Sequence, residues 1–220
     1  MPINIITISL ALPLGVGRVN CYLVRTTGGD VLIDTGVSGR RRLLEEALES
    51  AGCRPGGLKL IAITHGDFDH TGNAAYLRQK YAAKIGMHPA DWGMAERGDM
   101  FWNRKSGKGA FKVIASAFFK LPQADRFAPD VALEEGFDLS PYGLEATVLS
   151  IPGHSLGSVG LLTAEGDLFC GDLFESSVQP RINAIMDDLA AATASLERLE
   201  SLPVKTVYPG HGRPFTLDQL

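Results

Sequence analysis

The run Thr64-His65-Gly66-Asp67-Phe68-Asp69-His70 decides how this chain is read. It follows directly on the apolar segment 58–63, whose length and side-chain content are those of a buried strand. A strand that ends in two imidazoles and two carboxylates within six residues places potential metal ligands at one edge of a sheet. Packing gives no reason for His-x-Asp-x-Asp-His in an edge loop. Three further settings repeat the device: Gly153-His154, Gly171-Asp172 and Gly210-His211, each after an apolar run. A glycine before a ligand lets the chain turn sharply and leaves space beside the ligand. Imidazole with carboxylate suits zinc, iron or manganese, and these seven groups are enough for two divalent ions with open positions. His88, between Gly86-Met87 and Pro89, reads as an ordinary hydrogen-bonding residue.

Outward from this loop, short apolar and β-branched runs predict strands at 3–10, 20–25, 31–34, 58–64, 84–88, 146–151, 159–163, 168–170 and 204–208. Helical spacing appears between some of them. Ser38 is placed to cap a helix carrying Leu43, Leu44, Ala47, Leu48 and Ala51, which Gly52 ends. Residues after His70 form a second helix through Ala74, Leu77 and Tyr81. Asp187 or Asp188 opens a third, with Leu189, Ala192, Leu196 and Leu199 on one face and Pro203 beyond its end. The irregular alternation, with hairpins mixed in, predicts an α/β protein with mixed sheets. Gly29-Asp30-Val31-Leu32-Ile33-Asp34 is echoed by Gly166-Asp167-Leu168-Phe169-Cys170-Gly171-Asp172, a pattern that fits a duplicated half-domain.

With 220 residues the chain is expected to form one domain, residues 1–220. Its 45% hydrophobic and 21% charged residues exclude disorder and collagen-like structure. A net charge of −4 argues against nucleic acid and anionic membrane as partners. Cys21, Cys53 and Cys170 make no disulfide framework and match no zinc-ribbon spacing. No apolar run reaches the ~18 residues of a membrane span, and the N-terminus lacks a positive leader, so a cytoplasmic location is expected. No Gly-x-Ser-x-Gly nucleophile motif and no Gly-rich nucleotide loop competes with the histidines.

One segment breaks the rhythm. Residues 91–120 hold both tryptophans, four of the ten phenylalanines and six basic residues against three acidic ones. This reads as a helical aromatic and basic arm or lid over about 91–130, with Trp102 and Phe111 as candidate substrate contacts. Core packing or a homodimer contact through 91–120 are the other uses open to it.

In these motifs the sequence resembles the metallo-β-lactamase-fold superfamily, marked by a Thr-His-x-His-x-Asp-His loop followed by single His, Asp and His ligands. The resemblance implies a four-layer αββα sandwich of two mixed sheets flanked by helices. It implies that His65 and His154 hold one metal, that Asp69, His70 and His211 hold the other, and that Asp172 bridges them. It also implies that Asp34, in Asp34-Thr35-Gly36, accepts a hydrogen bond that orients the ligand loop. Asp67 departs from the pattern, which has His there. A carboxylate stands at this position in the flavodiiron branch, where iron replaces zinc. Being shorter than His, Asp67 ligates directly only if the loop adjusts, ligates through a water, or stays out of the site.

The implied activity is hydrolysis of a small ester, lactone, thioester or phosphoester by a shared hydroxide on a dinuclear centre. Asp69 and Asp172 are then the catalytic carboxylates, with two divalent metal ions as cofactor, zinc first and iron or manganese as alternatives. A di-iron redox protein acting on oxygen, nitric oxide or a persulfide is the second reading, and a non-catalytic metal-binding module the third. The C-terminal extension with which glyoxalase-II-like members grip glutathione is expected to be missing, since the sequence stops nine residues after His211.

Overall fold

Strands β3 (Asp30–Ile33) and β4 (Leu58–Ala62) are almost wholly buried because each has a core on both of its faces. The computed structural model, which describes residues 3–105 and 119–220, assigns alternate side chains of one sheet to two separate clusters. Cys21, Leu23, Leu32 and Ile61 pack against Leu44, Leu48 and Leu77 on helices. Tyr22, Val24, Val31, Ile33 and Leu60 instead meet Val148, Val159, Leu161 and Phe169 of a second sheet. On the far side of that second sheet, Leu149, Ile151, Leu168 and Cys170 pack against Ala192 and Leu199 of a helix. Three stacked cores separate four layers, and the order is helix, sheet, sheet, helix, as the family resemblance implies.

The first sheet runs β1 (Asn4–Ala11), β2 (Arg18–Arg25), β3, β4, β5 (Lys84–Met87), β6 (Val131–Ala132) in sequence order. It is antiparallel up to β3 and parallel beyond it. The second contains β7 (Ala146–Ser150), β8 (Val159–Thr163), β9 (Asp167–Ser176) and β10 (Arg181–Ile182), with β11 (Thr206–Gly212) parallel to β9. The echo noted in the sequence has a structural counterpart. The antiparallel pair β2–β3 leads through α1 (Arg41–Ser50) to the parallel strand β4, and β8–β9 leads through the C-terminal helix to the parallel strand β11.

Two expectations need correction. Ser38 does not cap α1; its hydroxyl donates to Gly72 O at 2.9 Å, and a 3-10 turn over Ser38–Arg40 starts the helix instead. Asp172 and His211 do not follow their strands but lie inside β9 and β11, where irregular pairing around Gly171 and Pro209 redirects the chain. Gly52, at φ +82°, ends the α1 segment as its position suggests. The short helices α2 (Phe68–Thr71) and α4 (Trp92–Arg97) and strands β6 and β10 are too short to leave a periodic signal. Among the described residues the other helices are α3 (Ala74–Tyr81) and α5 (Leu189–Glu200), whose N-terminus Asp188 caps by accepting from Ala191 N at 3.1 Å.

The arm is helical at its base, in α4, where Trp92 packs on the first core and donates Nε1–H to Met87 O at 2.8 Å. Phe111 lies outside the described residues.

Phe169 is fully buried between the sheets, 5.2 Å from Tyr22 and 4.9 Å from Tyr208 by ring centroids. Phe169→Ala is expected to lower unfolding free energy by about 3–5 kcal/mol in urea titration. A loss below ~1 kcal/mol would remove this residue from the inter-sheet core.

Candidate metal centre

The ligand loop is built from Asp34 outward. Its backbone is held at φ +58°, a conformation that costs most residues energy but suits a short polar side chain. From there Oδ1 accepts from Thr64 N at 2.9 Å, and Oδ2 accepts from Thr64 Oγ1 at 2.8 Å and faces His70 Nδ1 at 2.8 Å. Thr64 Oγ1 is also 3.0 Å from His65 Nδ1. One carboxylate thus fixes both imidazoles with their Nε2 atoms directed away from it. The helical turn α2 carries Asp69 and His70, and its first turn is closed on Asp67 O by the amides of His70 and Thr71.

The other candidate ligands arrive by separate routes. His154 turns its Nδ1 to Ile185 O at 2.6 Å, and His211 turns its Nδ1 to Arg18 O at 2.7 Å. Beneath His211, Asn20 Nδ2 donates to Gly212 O at 2.8 Å and the Tyr22 hydroxyl to Pro209 O at 2.6 Å, so β2 of one sheet holds β11 of the other. Gly210 must lack a side chain, because a Cβ would overlap Asp172 Oδ1 and lie 2.7 Å from His70 Cε1.

The result is convergence of six side chains from four segments. His70 Nε2 is 3.4 Å from Asp172 Oδ1 and 3.9 Å from Asp69 Oδ2. His211 Nε2 is 3.3 Å from Asp172 Oδ2 and 3.5 Å from Asp69 Oδ2. His154 Nε2 is 3.9 Å from Asp172 Oδ2, which therefore lies between two groups of possible ligands. Asp69, His70 and His211 form one such group; His65, His154 and Asp172 form the other. Buried atoms His65 Nε2, His70 Nε2 and Asp172 Oδ1 have no hydrogen-bond partner. Polar atoms orphaned in this way inside a protein call for a ligand, and imidazole with carboxylate fits a divalent ion.

Electrostatics point the same way. Burial alone would lower the basicity of His211, yet the adjoining Asp172 carboxylate pushes it up to about 9. His70 is likewise raised against the effect of burial by Asp172, Asp34 and Asp69. Burial pushes the Asp69 carboxyl up. His65, buried and beside His70, is pushed down. The Asp69–Asp172 half of the centre has a shortage of positive charge, since among the described residues no Lys or Arg pairs with either carboxylate.

Asp67 has a different partner. Arg104, buried and on the arm, places Nη2 2.6 Å from Asp67 Oδ1 and 3.0 Å from His154 Nε2. Burial would raise the Asp67 carboxyl, but the guanidinium charge holds it well below its usual range. On this side the guanidinium thus lies against Asp67 and His154, while His65 Nε2 and Asp172 Oδ1 stay without hydrogen-bond partners.

Two residues that carry the site were not singled out in the sequence. Arg104 is one. The other is Asp91, fully buried at the base of the arm, which accepts from Gly66 N at 3.1 Å, Ser155 Oγ at 2.6 Å and Gly157 N at 2.9 Å. It clamps the His65–His70 loop to the His154 loop. Trp102 is half-exposed, stacked beneath the Arg97 guanidinium at 3.6 Å and lying over Gly93; no described hydrogen bond or ring contact joins it to the six ligands.

Comparison with known proteins agrees with this geometry. The profile of the metallo-beta-lactamase superfamily matches residues 14–211. The chain is 30% identical over 167 residues to hydroxyacylglutathione hydrolase GloC of Haemophilus influenzae, covering 74% of this chain and 72% of that protein. It is 30% identical over 200 residues to the probable metallo-hydrolase MJ0888 of Methanocaldococcus jannaschii, covering 88% and 87%. Acyl-coenzyme A thioesterase MBLAC2 of Bos taurus is 29% identical over 222 residues, covering 92% and 76%. Among solved structures, the di-iron-bound form of TTHA1623 superposes with a TM-score of 0.74 at 32% identity, covering 97% and 96%.

Asp34→Asn leaves too few acceptors for Thr64 N, Thr64 Oγ1 and His70 together. Metal affinity measured by titration calorimetry is expected to fall about 10–100-fold with circular dichroism unchanged. Unchanged affinity would reduce Asp34 to a turn residue.

Proposed function

We propose, from the premise that the chain belongs to the metallo-beta-lactamase superfamily and is a hydrolase of that superfamily, that it cleaves small acyl thioesters or esters with a divalent metal on Asp69, His70, His211 and Asp172. The observation that carries this reading is the buried convergence of these four side chains, with His70 Nε2 and Asp172 Oδ1 left without partners. The reading rests on this half of the centre, where no built-in cation competes among the described residues. A divalent ion there supplies Lewis acidity, polarising an acyl carbonyl and making water nucleophilic at neutral pH.

The chain's own groups do the rest. Asp34 and Arg18 O keep His70 and His211 presenting Nε2. Asp172 spans the two groups of ligands and sets their separation. Asp69, 3.5 Å from His211, is placed to accept a proton and pass it to the departing thiolate or alkoxide. Segments adjoining the centre present Leu156 and Ile185 to solvent, which suits an apolar acyl chain, while the exposed Lys105, next to Arg104 in sequence, suits an anionic group. GloC and MBLAC2 are both named for thioester substrates, and that shared chemistry is the class proposed here.

A second reading has one observation of its own. The similar TTHA1623 binds two irons, so iron with redox chemistry is the alternative to zinc with hydrolysis. Metal analysis of protein purified without added metal separates them, because iron in a redox centre brings visible absorption.

Hydrolysis is tested with a panel of acyl-CoA and acyl-glutathione thioesters, following thiol release before and after chelation. Activity is expected to disappear with the chelator and return with added metal. Asp172→Ala is expected to lose more than the ~10–100-fold that outlying partners of a metal site cost. Full turnover by that variant would contradict the placement of the centre.

A further inference from the structure

The centre has two halves, but they are not alike. In one, His70 Nε2 is orphaned; Asp172 Oδ1, between the halves, and His65 Nε2, on the other side, are orphaned too. In the other, His154 has only Nε2 to offer, since Nδ1 is committed to Ile185 O, and that Nε2 is already 3.0 Å from Arg104 Nη2 and 3.1 Å from Asp67 Oδ2. A metal bound to an imidazole nitrogen lies about 2 Å from it. The guanidinium nitrogen occupies the neighbourhood such an ion would need.

The pair also explains the motif. A histidine at position 67 would face a guanidinium with no charge to offer it. An aspartate neutralises that guanidinium at 2.6 Å, in a place where neither group has appreciable solvent. The carboxylate in the ligand loop and the arginine on the arm are thus two parts of one arrangement, 37 residues apart in sequence. Arg104 is held in place from both sides. Asn103 Nδ2 donates to Ala90 O, and Lys105 donates its amide to Asp187 Oδ2 at 3.0 Å and Nζ to Asp188 Oδ2 at 2.9 Å. Arg104 Nε is buried without a partner, so the guanidinium keeps a donor beyond its contacts with Asp67 and His154.

We propose that Arg104 is the resident cation of the His65–Asp67–His154 half, so that the chain carries one tightly held divalent metal and one guanidinium in place of two metals. A fixed guanidinium beside the metal half is placed to stabilise negative charge developing on a substrate oxygen, and unlike an ion it cannot be lost to chelators. The inference deepens the hydrolase reading and rests on it only for the metal on Asp69, His70 and His211.

Metal content decides the matter on the wild-type chain, without relying on any variant. Protein depleted by chelation and titrated with zinc in a calorimeter is expected to take up one tight equivalent. Arg104→Ala, and more clearly Arg104→Ala with Asp67→His, is expected to gain a second equivalent bound at least ~10-fold tighter than any second equivalent of the wild type. Arg104→Lys, which keeps a cation on the arm, is expected to stay at one. Two tight equivalents in the wild type would overturn the proposal while leaving thioester hydrolysis standing. No tight equivalent at all would overturn both. A wild type at one equivalent whose double variant, folded by circular dichroism, also stays at one would overturn the role of Arg104 alone.

Discussion

Four carboxylates, those of Asp34, Asp67, Asp69 and Asp172, are buried within one site, and burying anions is tolerable only where cations or hydrogen-bond donors meet them. The rest of the arrangement follows from how that requirement is met. Asp34 is matched by two donors on Thr64 and by His70. Asp67 is matched by Arg104. Asp69 and Asp172 have imidazoles around them and, among the described residues, no Lys or Arg pairs with them; the carboxylates in turn hold the basicity of His70 and His211 up.

The scaffold can present such a site because its two halves repeat one plan. In each, an antiparallel pair of strands is followed by a helix and a strand parallel to the second of the pair, and an aspartate stands near the end or at a bend of that second strand. Asp34 and Asp172 are the two aspartates. The halves are then locked across the sheet interface by polar contacts of high sequence separation: Asn20 to Gly212 O and Tyr22 to Pro209 O on either side of His211, and Asp91 to both the Gly66 and Ser155 loops. These contacts are buried and satisfied, which makes them costly to break and gives the ligands a fixed geometry.

Much of this was legible in the sequence. The strands were, because buried strands leave short apolar runs whose ends are punctuated by Gly and Asp. The convergence of the candidate ligands was, because His and Asp at those ends have no packing role to explain them. Ser38 misled because a helix-capping residue type equally bonds a neighbouring loop, here Gly72 O. Arg104 and Asp91 left no spacing signal, since each acts through residues 25 or more positions away. A physical clue to Arg104 was nevertheless present: an unexpected carboxylate at Asp67, due to be buried, beside an arm with an excess of basic residues. Balancing that charge would have pointed to the arm. Trp102 was chosen for its aromatic character; its ring is half-exposed and stacks on the Arg97 guanidinium.

The central claim is that side chains distant in sequence meet to hold a metal where the buried carboxylates lack a cation. Anomalous diffraction from a crystal of the protein with its native metal tests it most directly. The account predicts a strong anomalous peak within coordination distance of His70 Nε2, His211 Nε2, Asp69 and Asp172, about 2.0–2.2 Å for zinc, with guanidinium density at Asp67. An absence of any peak among these four side chains, in protein shown to contain metal, would contradict it.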